Sequence, residues 1–402
     1  MIASPATERP VFSLKSKPAI LPSYEAALDK ARQLAPTFKE RVPETEKLRR
    51  LPDETAAELI ESGLVHLILP KRFGGSELGL DALLDVTGIL AEACPSTGWV
   101  HALWGAHMWL AAIYPPEIQE MMWQENPRSL LSSAVQIEGK AERVEGGWRW
   151  TGKGHYSSGI NHCNWFCPAL QVEMADGHME RRWLLVPISD VTILEDWRTI
   201  GLKGTGSNTV VAEDIFIPEN YSVNIETSAQ TPGAQMHGNP QYRAHSGCIF
   251  TPPLAATAVG AARGFLHEFF DRTSKRRLEA ERASEMSGQL LRFARASADV
   301  DAARALLIEN AHRFSHTPVD QMSEMDRVKC RRDQAYAATV SREAVNSLFE
   351  ATSASALFEG SEIQRYWRDT NAAAAHAGLT WDNHGLAWGR ASFGLPYTPG
   401  SF

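Results

Sequence analysis

A glycine- and hydroxyl-rich turn, Trp197-Arg-Thr-Ile-Gly-Leu-Lys-Gly-Thr-Gly-Ser207, runs into an alternating segment that stops at Pro218. On its own this reads as a loop followed by a β-strand. Its constraint comes from its surroundings, because more than a hundred residues on either side carry helical patterns. The texture changes near Arg128, where short strand signals begin at 130–136, 140–151, 155–158, 164–173, 182–187, 191–195 and 209–217. Gly146-Gly147 and Asp176-Gly177 are hairpin-turn signals among them. A β-unit enclosed by two α-units is an uncommon order and narrows the fold class sharply.

Helical signals before this block include 23–50, 81–93 and a Trp-, Ala- and His-rich segment through Leu110. Asp53 is expected to cap a helix through Glu61, and Ser96 or Thr97 to cap the helix through Leu110. Pro115-Pro116-Glu117 reads as the start of another. Residues 219–245 are polar and irregular, as a linker or lid would be. Long amphipathic helices follow at 289–314 and 326–349. The expected units are an N-terminal α-helical domain (1–127), a central β-domain (128–235) and a C-terminal four-helix-bundle domain (236–402). The fold class is therefore α+β.

The formal charge of −8, without a dense Lys/Arg block, argues against a nucleic-acid partner. No apolar run is long enough for a membrane helix. Met1–Pro22 does not read as a secretory signal. Five scattered cysteines suit a reducing cytoplasm better than a disulfide framework. Cys163 and Cys167 flank no second ligand pair, so partly buried thiols are expected there rather than a metal. Twelve tryptophans is a high count for this length; some must be core, and surplus aromatic surface is what a flat apolar ligand would use.

Several motifs in order carry a resemblance: Leu69-Pro-Lys-Arg-Phe-Gly-Gly75, Ser132-Ser133, Tyr156-Ser-Ser-Gly159 with Asn161-His162, Gly204-Thr-Gly-Ser207, and Arg365-Tyr-Trp-Arg-Asp369 followed by His376. Over roughly 24–395 the chain resembles the acyl-CoA dehydrogenase fold. Within that fold it is similar to the reduced-flavin-dependent aromatic monooxygenases, which include the oxygenase components of 4-hydroxyphenylacetate 3-hydroxylase and 3-hydroxy-secosteroid hydroxylase.

The resemblance implies reduced FMN or FAD and O2 as co-reactants, a flavin C4a-hydroperoxide as oxygen donor and a phenolic or indolic aromatic substrate. Ser158 is then the hydroxyl at flavin N5, with Ser157 as the weaker alternative. Gly159, Thr205, Ser207 and Arg277 (in Lys275-Arg276-Arg277) are the remaining flavin-binding candidates. His107 and Ser133 would meet the substrate hydroxyl, with His101 competing. His376 would be the base that acts on the substrate or supports the oxygen chemistry, with His384 competing. Trp99, Trp104 and Trp109 would wall the pocket, although core packing is the plainer reading of all three. Strand-end serines bonding local backbone, and core or surface histidines, are the corresponding plain readings of the other residues.

No GxGxxG follows a strand, so a nicotinamide site is not expected. A separate NAD(P)H:flavin reductase would supply the reduced flavin, and the family is expected to form homotetramers. Two other readings stay open: an acyl-CoA dehydrogenase, or an N- or S-oxidising relative. The dehydrogenase needs a C-terminal carboxylate, but no acid follows Arg368-Asp369 until Asp382, and Glu359 precedes that motif. A non-catalytic flavin or aromatic binder is the third reading.

Overall fold

The computed structural model describes residues 17–279 and 287–397. The chain begins with α1 (Tyr24–Glu40), α2 (Val42–Leu48), α3 (Asp53–Glu61), α4 (Leu80–Ala93), α5 (Pro95–Ala112) and α6 (Pro116–Glu125). Nine strands follow among the described residues. They are β1 (Leu131–Ala134), β2 (Gln136–Val144), β3 (Gly147–Ser157), β4 (Trp165–Glu173), β5 (Met179–Leu184), β6 (Val186–Pro187), β7 (Thr192–Leu194), β8 (Asn208–Pro218) and β9 (Ser222–Asn224). The short α7 (Pro232–Gln235) leads to α8 (Thr251–Glu279), α9 (Ser287–His316), α10 (Glu324–Phe349), α11 (Glu362–Ala374) and α12 (Trp381–Ser392).

The strands form two sheets. One runs β1-β4-β5-β9 with β6 also on β4, and the other runs β2-β3-β8-β7. β1 lies parallel to β4, pairing Ser132 with Phe166 and Ser133 with Cys167. Because successive strand residues face opposite sides, the adjacent serines of β1 point to different neighbours. The Gly146-Gly147 turn divides the expected 140–151 strand into the β2–β3 hairpin, since Gly146 takes φ +80°.

α5 is the most buried helix at the centre of the candidate site. It carries no Asp, Glu, Lys or Arg, and every residue except Leu103 is buried. A helix apolar all round belongs inside a protein. It packs between α4, α8 and the start of β1, so its histidines and tryptophans face protein on all sides.

Two expected helix caps are replaced. Pro52 precedes α3, and Asp53 is its first residue, with its carboxylate on Arg50 and His162. α5 starts at Pro95, and Ser96 instead accepts a hydrogen bond from Gly204 N at 3.1 Å. In both places the side chain lies within the first turn of the helix and serves a partner outside it.

Candidate active site

α5 carries two side chains, Trp99 and His107, that mark the ends of the candidate site. Trp99 and His107 are eight residues apart, or about 12 Å at 1.5 Å per residue.

At the His107 end, the imidazole is buried and its polarity is fixed. Nδ1 lies 2.5 Å from Leu103 O, one turn earlier on α5. A carbonyl only accepts, so Nδ1 carries the proton. Nε2 is therefore the bare nitrogen, and Ser133 Oγ donates to it at 2.8 Å. Burial pushes the His107 pKa down to about 4, which keeps the ring neutral. Ser133 spends its hydroxyl proton on His107 and keeps lone pairs for a donor. Phe250 stands edge-on to the ring at 5.1 Å and closes that side.

At the Trp99 end, three hydroxyls form a chain. Trp99 Nε1 donates to Ser158 Oγ at 3.1 Å. Ser158 meets Ser207 at 2.7 Å, and Ser207 meets Thr205 at 2.7 Å. Thr205 reaches Leu202 O at 3.1 Å. Gly159 N donates to Thr205 O at 2.8 Å, which ties the two segments together. Gly159 has φ +69°, and a Cβ there would stand 2.6 Å from Trp104 Nε1, so the tight approach needs glycine. Ser157 turns the other way: its buried hydroxyl meets Ser132 at 2.7 Å, and Ser132 also contacts Ser158 O. The two serines thus have separate partners, with Ser158 on the Trp99 side and Ser157 on Ser132.

His376 lies against Trp99, with ring centroids 5.6 Å apart. Its Nδ1 accepts from Gly378 N at 3.1 Å, so the neutral ring carries its proton on Nε2. The ring keeps some exposed surface, but the atoms packed round it and the Arg331 charge push its pKa down to about 4. In this tautomer His376 presents an N–H, while its Nδ1 is engaged by the backbone.

The competing histidines are occupied elsewhere. His101 donates from Nε2 to Leu64 O at 3.0 Å and accepts from Thr87 at 2.9 Å. His384 is buried and accepts from Arg331 at 3.2 Å. Trp104 and Trp109 are fully buried, and Trp109 donates to Gln241 O. Cys163 and Cys167 are buried free thiols, and burial pushes Cys167 up to about 12. The side chain of Arg277 lies outside the described residues.

The loop that carries Thr205 and Ser207 is held from the C-terminal side. Asp369 is buried and accepts from Leu202 N at 2.7 Å, while Arg368 binds Ile200 O and pairs with Glu46 at 3.0 Å. The Arg-Asp motif therefore grips the loop, with Arg368 paired to Glu46. The sequence pairs Arg368 with Asp369 to orient the C-terminal segment, whereas their partners are Glu46 and the loop backbone, and it misses the role of Ser132. Their only sequence signals were the Arg-Asp and Ser-Ser pairs, with no indication of partners.

The model for the acyl-CoA dehydrogenase C-terminal domain matches residues 253–381. A pigment production hydroxylase of Rhodococcus sp. is 32% identical over 373 residues, covering 92% of this chain and 96% of the relative. The oxygenase component of an FADH2-dependent resorcinol hydroxylase of Rhizobium sp. is 34% identical over 385 residues, covering 90% and 92%. The crystal structure of 3-HSA hydroxylase from Rhodococcus sp. RHA1 superposes with a TM-score of 0.88 at 32% identity, covering 94% of this chain and 99% of that one. This chain belongs to the flavin-dependent monooxygenase oxygenase components. Its fold is that of the acyl-CoA dehydrogenases, and its chemistry is flavin-dependent oxygenation.

The residues at the Trp99 end fit a flavin. Ser158 uses at most two of its three hydrogen-bonding capacities on Trp99 and Ser207, so one remains for a ligand atom. Exposed Tyr156 and half-buried Trp197 stand beside the same strand end, 5.5 Å apart, and offer flat apolar surface for a ring system. Among the described residues no helix is long and apolar enough to cross a membrane.

Proposed function

We propose that this chain hydroxylates a small or polycyclic aromatic that carries a phenolic O–H or an indolic N–H. The observation that carries the reading is the polarity of the His107–Ser133 pair. Ser133 donates inward to His107 and presents an acceptor outward. A substrate donor placed on it shares its proton with Ser133, and Ser133 leans its own toward His107. Electron density then rises on the ring carbon to be attacked. Proton sharing suffices, since an imidazole held near 4 is a weak base for complete removal. A thiophene sulfur has no proton to offer, so this polarity favours hydroxylation over S-oxidation.

Bound flavin, with O2, supplies the oxygen-transfer chemistry. Ser158 is proposed to face N5, and the hydroxyl chain behind it sets its polarity. When Ser158 donates to Ser207, Ser207 to Thr205 and Thr205 to Leu202 O, every proton is used and Ser158 presents a lone pair. Reversing the chain turns Ser158 into a donor but gives up the bond to Leu202 O. One neutral hydrogen bond is worth about 1 kcal/mol, or about fivefold in population. The resting chain therefore favours a ligand N–H, as reduced flavin has at N5, over the bare nitrogen of oxidised flavin. The chain ends on a backbone carbonyl, so a proton held at N5 has no exit through it.

His376, with its N–H, is proposed to donate to an oxygen at the reacting centre. Arg277 is proposed for the flavin phosphate, a separate NAD(P)H:flavin reductase for the supply of reduced flavin, and a homotetramer for the assembly. The division at 1–127, 128–235 and 236–402 is proposed for the domains, and the cytoplasm for the compartment.

The test is to mix the protein anaerobically with reduced FMN or FAD, admit O2, and analyse products from phenols, indoles and thiophenes. Hydroxylated phenol or indole is the expected product. Sulfoxide as the sole product, or electron transfer to an acceptor from an acyl-CoA without O2, would overturn the reading.

A further inference from the structure

On the side of α4 where that helix meets α9, the start of α4 is tied to α9 by Ser315. Ser315 of α9 accepts from Leu80 N at 2.6 Å and donates to Ala311 O at 2.8 Å. This bond sets the next residue, Asp81, opposite the last turns of α9. Asp81 Oδ1 accepts from Ala82 N at 3.0 Å, and its other oxygen, Oδ2, lies 3.6 Å from His312 Nδ1. His316 follows four residues later on the same helix face, its ring centroid 4.5 Å from that of His312. One ligand atom from each of the three residues lies within 4.8 Å of the other two. Among the described residues this is the one group of three His, Cys, Asp or Glu side chains so arranged.

We propose that Asp81, His312 and His316 form a binding site for a borderline divalent cation, Zn2+ above all. Two imidazoles and one carboxylate are the donors that such ions take, and two histidines at i and i+4 present their nitrogens to one point. Ligands at about 2.0 Å in a tetrahedron stand about 3.3 Å apart. The two exposed imidazoles close the remaining gap by rotating, while the carboxylate is already held by its backbone bond. The set supplies three ligands, and water completes the coordination because both histidines face solvent. An ion there bridges α4 and α9. α4 also packs on α5, the helix that carries Trp99 and His107, so the bridge stiffens the wall behind the candidate site without entering its chemistry.

The experiment uses the tag-free full chain, stripped with chelator and titrated with Zn2+ by calorimetry and thermal melting. It is run at about pH 7.5, because metal affinity of such a site depends on pH. Wild type is expected to bind one Zn2+ per chain and to melt at higher temperature with the metal. His312→Ala and His316→Ala should each weaken binding about tenfold or more and remove the thermal shift. Both residues are exposed, so both variants should fold. His178→Ala is the control, because His178 sits between Asp176 and Glu180 in a turn and offers a rival acidic surface site. Absence of binding by wild type would overturn the proposal. So would binding that survives both α9 variants, or that is lost in His178→Ala.

Discussion

The two ends of the candidate site each hold a neutral histidine, His107 buried and His376 partly exposed, and the two face their surroundings with opposite polarity. His107 spends its proton on Leu103 O and shows a lone pair, already taken by Ser133. His376 spends its lone pair on Gly378 N–H and keeps its proton on Nε2. Burial pushes both to about 4, so ionisation does not distinguish them. The difference lies in one backbone contact each: a carbonyl one turn back in α5, and an amide two residues on in the turn after α11. The backbone thus makes one histidine the terminus of an acceptor pair and the other a donor.

The sharpest way to break this comparison is to remove each partner. His107→Ala and Ser133→Ala should lower kcat/KM for phenols on the order of 10²-fold, with flavin affinity nearly unchanged. Ser133→Cys, a poorer donor and acceptor, should fall between. Equal losses for substrates with and without an acidic proton would show that the pair only shapes the pocket.

Next in size is Ser158→Ala, which takes away the group proposed at N5. Release of H2O2 should rise several-fold at the expense of hydroxylated product, and unchanged coupling would remove Ser158 from that position. His376→Ala should slow oxygenation about tenfold, while His376→Gln, which keeps an N–H, should recover part of the rate. Recovery by Asp instead would mean that the residue acts as a base.

A loop test follows. Asp369→Ala leaves the Leu202 amide unpaired in a buried place, and should destabilise the chain by roughly 1–3 kcal/mol in denaturant titration. Asp369→Asn keeps an acceptor and should cost less. Thr205→Val should have the smallest effect. It removes the end of the hydroxyl chain, and the preference for reduced over oxidised flavin should drop by about fivefold in equilibrium binding. An unchanged ratio would show that Ser158 polarity is set elsewhere.

Acidity should expose the two histidines together. His66, His101, His107, His376 and His384 are all pushed from 6.5 down to about 4 in the fold, with burial the leading cause in each. Between those values the unfolded chain binds more protons than the folded one, so stability falls as pH drops from about 6.5 toward 4. Melting temperature across that range measures it. A flat profile would show that these rings protonate in place.

The amino-acid sequence by itself determined the α, β, α order, because helix and strand periods and glycine turns are local signals. It also determined the candidate set: the serine pairs, the glycine loop and the histidines stand in motifs that can be read without coordinates. The tertiary structure decided which partners each member of a pair meets. His101 and His107 share one helix, but only packing sets which turn meets β1. Ser157 and Ser158 are neighbours, and the direction each points depends on Ser132 and Ser207, residues 25 and 49 positions away. Asp53 and Ser96 carry good local capping chemistry, yet their partners are His162 and Gly204. Proton positions came last of all. They follow from contacts with single carbonyls and amides, and no periodicity in a sequence encodes which backbone group a ring nitrogen will touch.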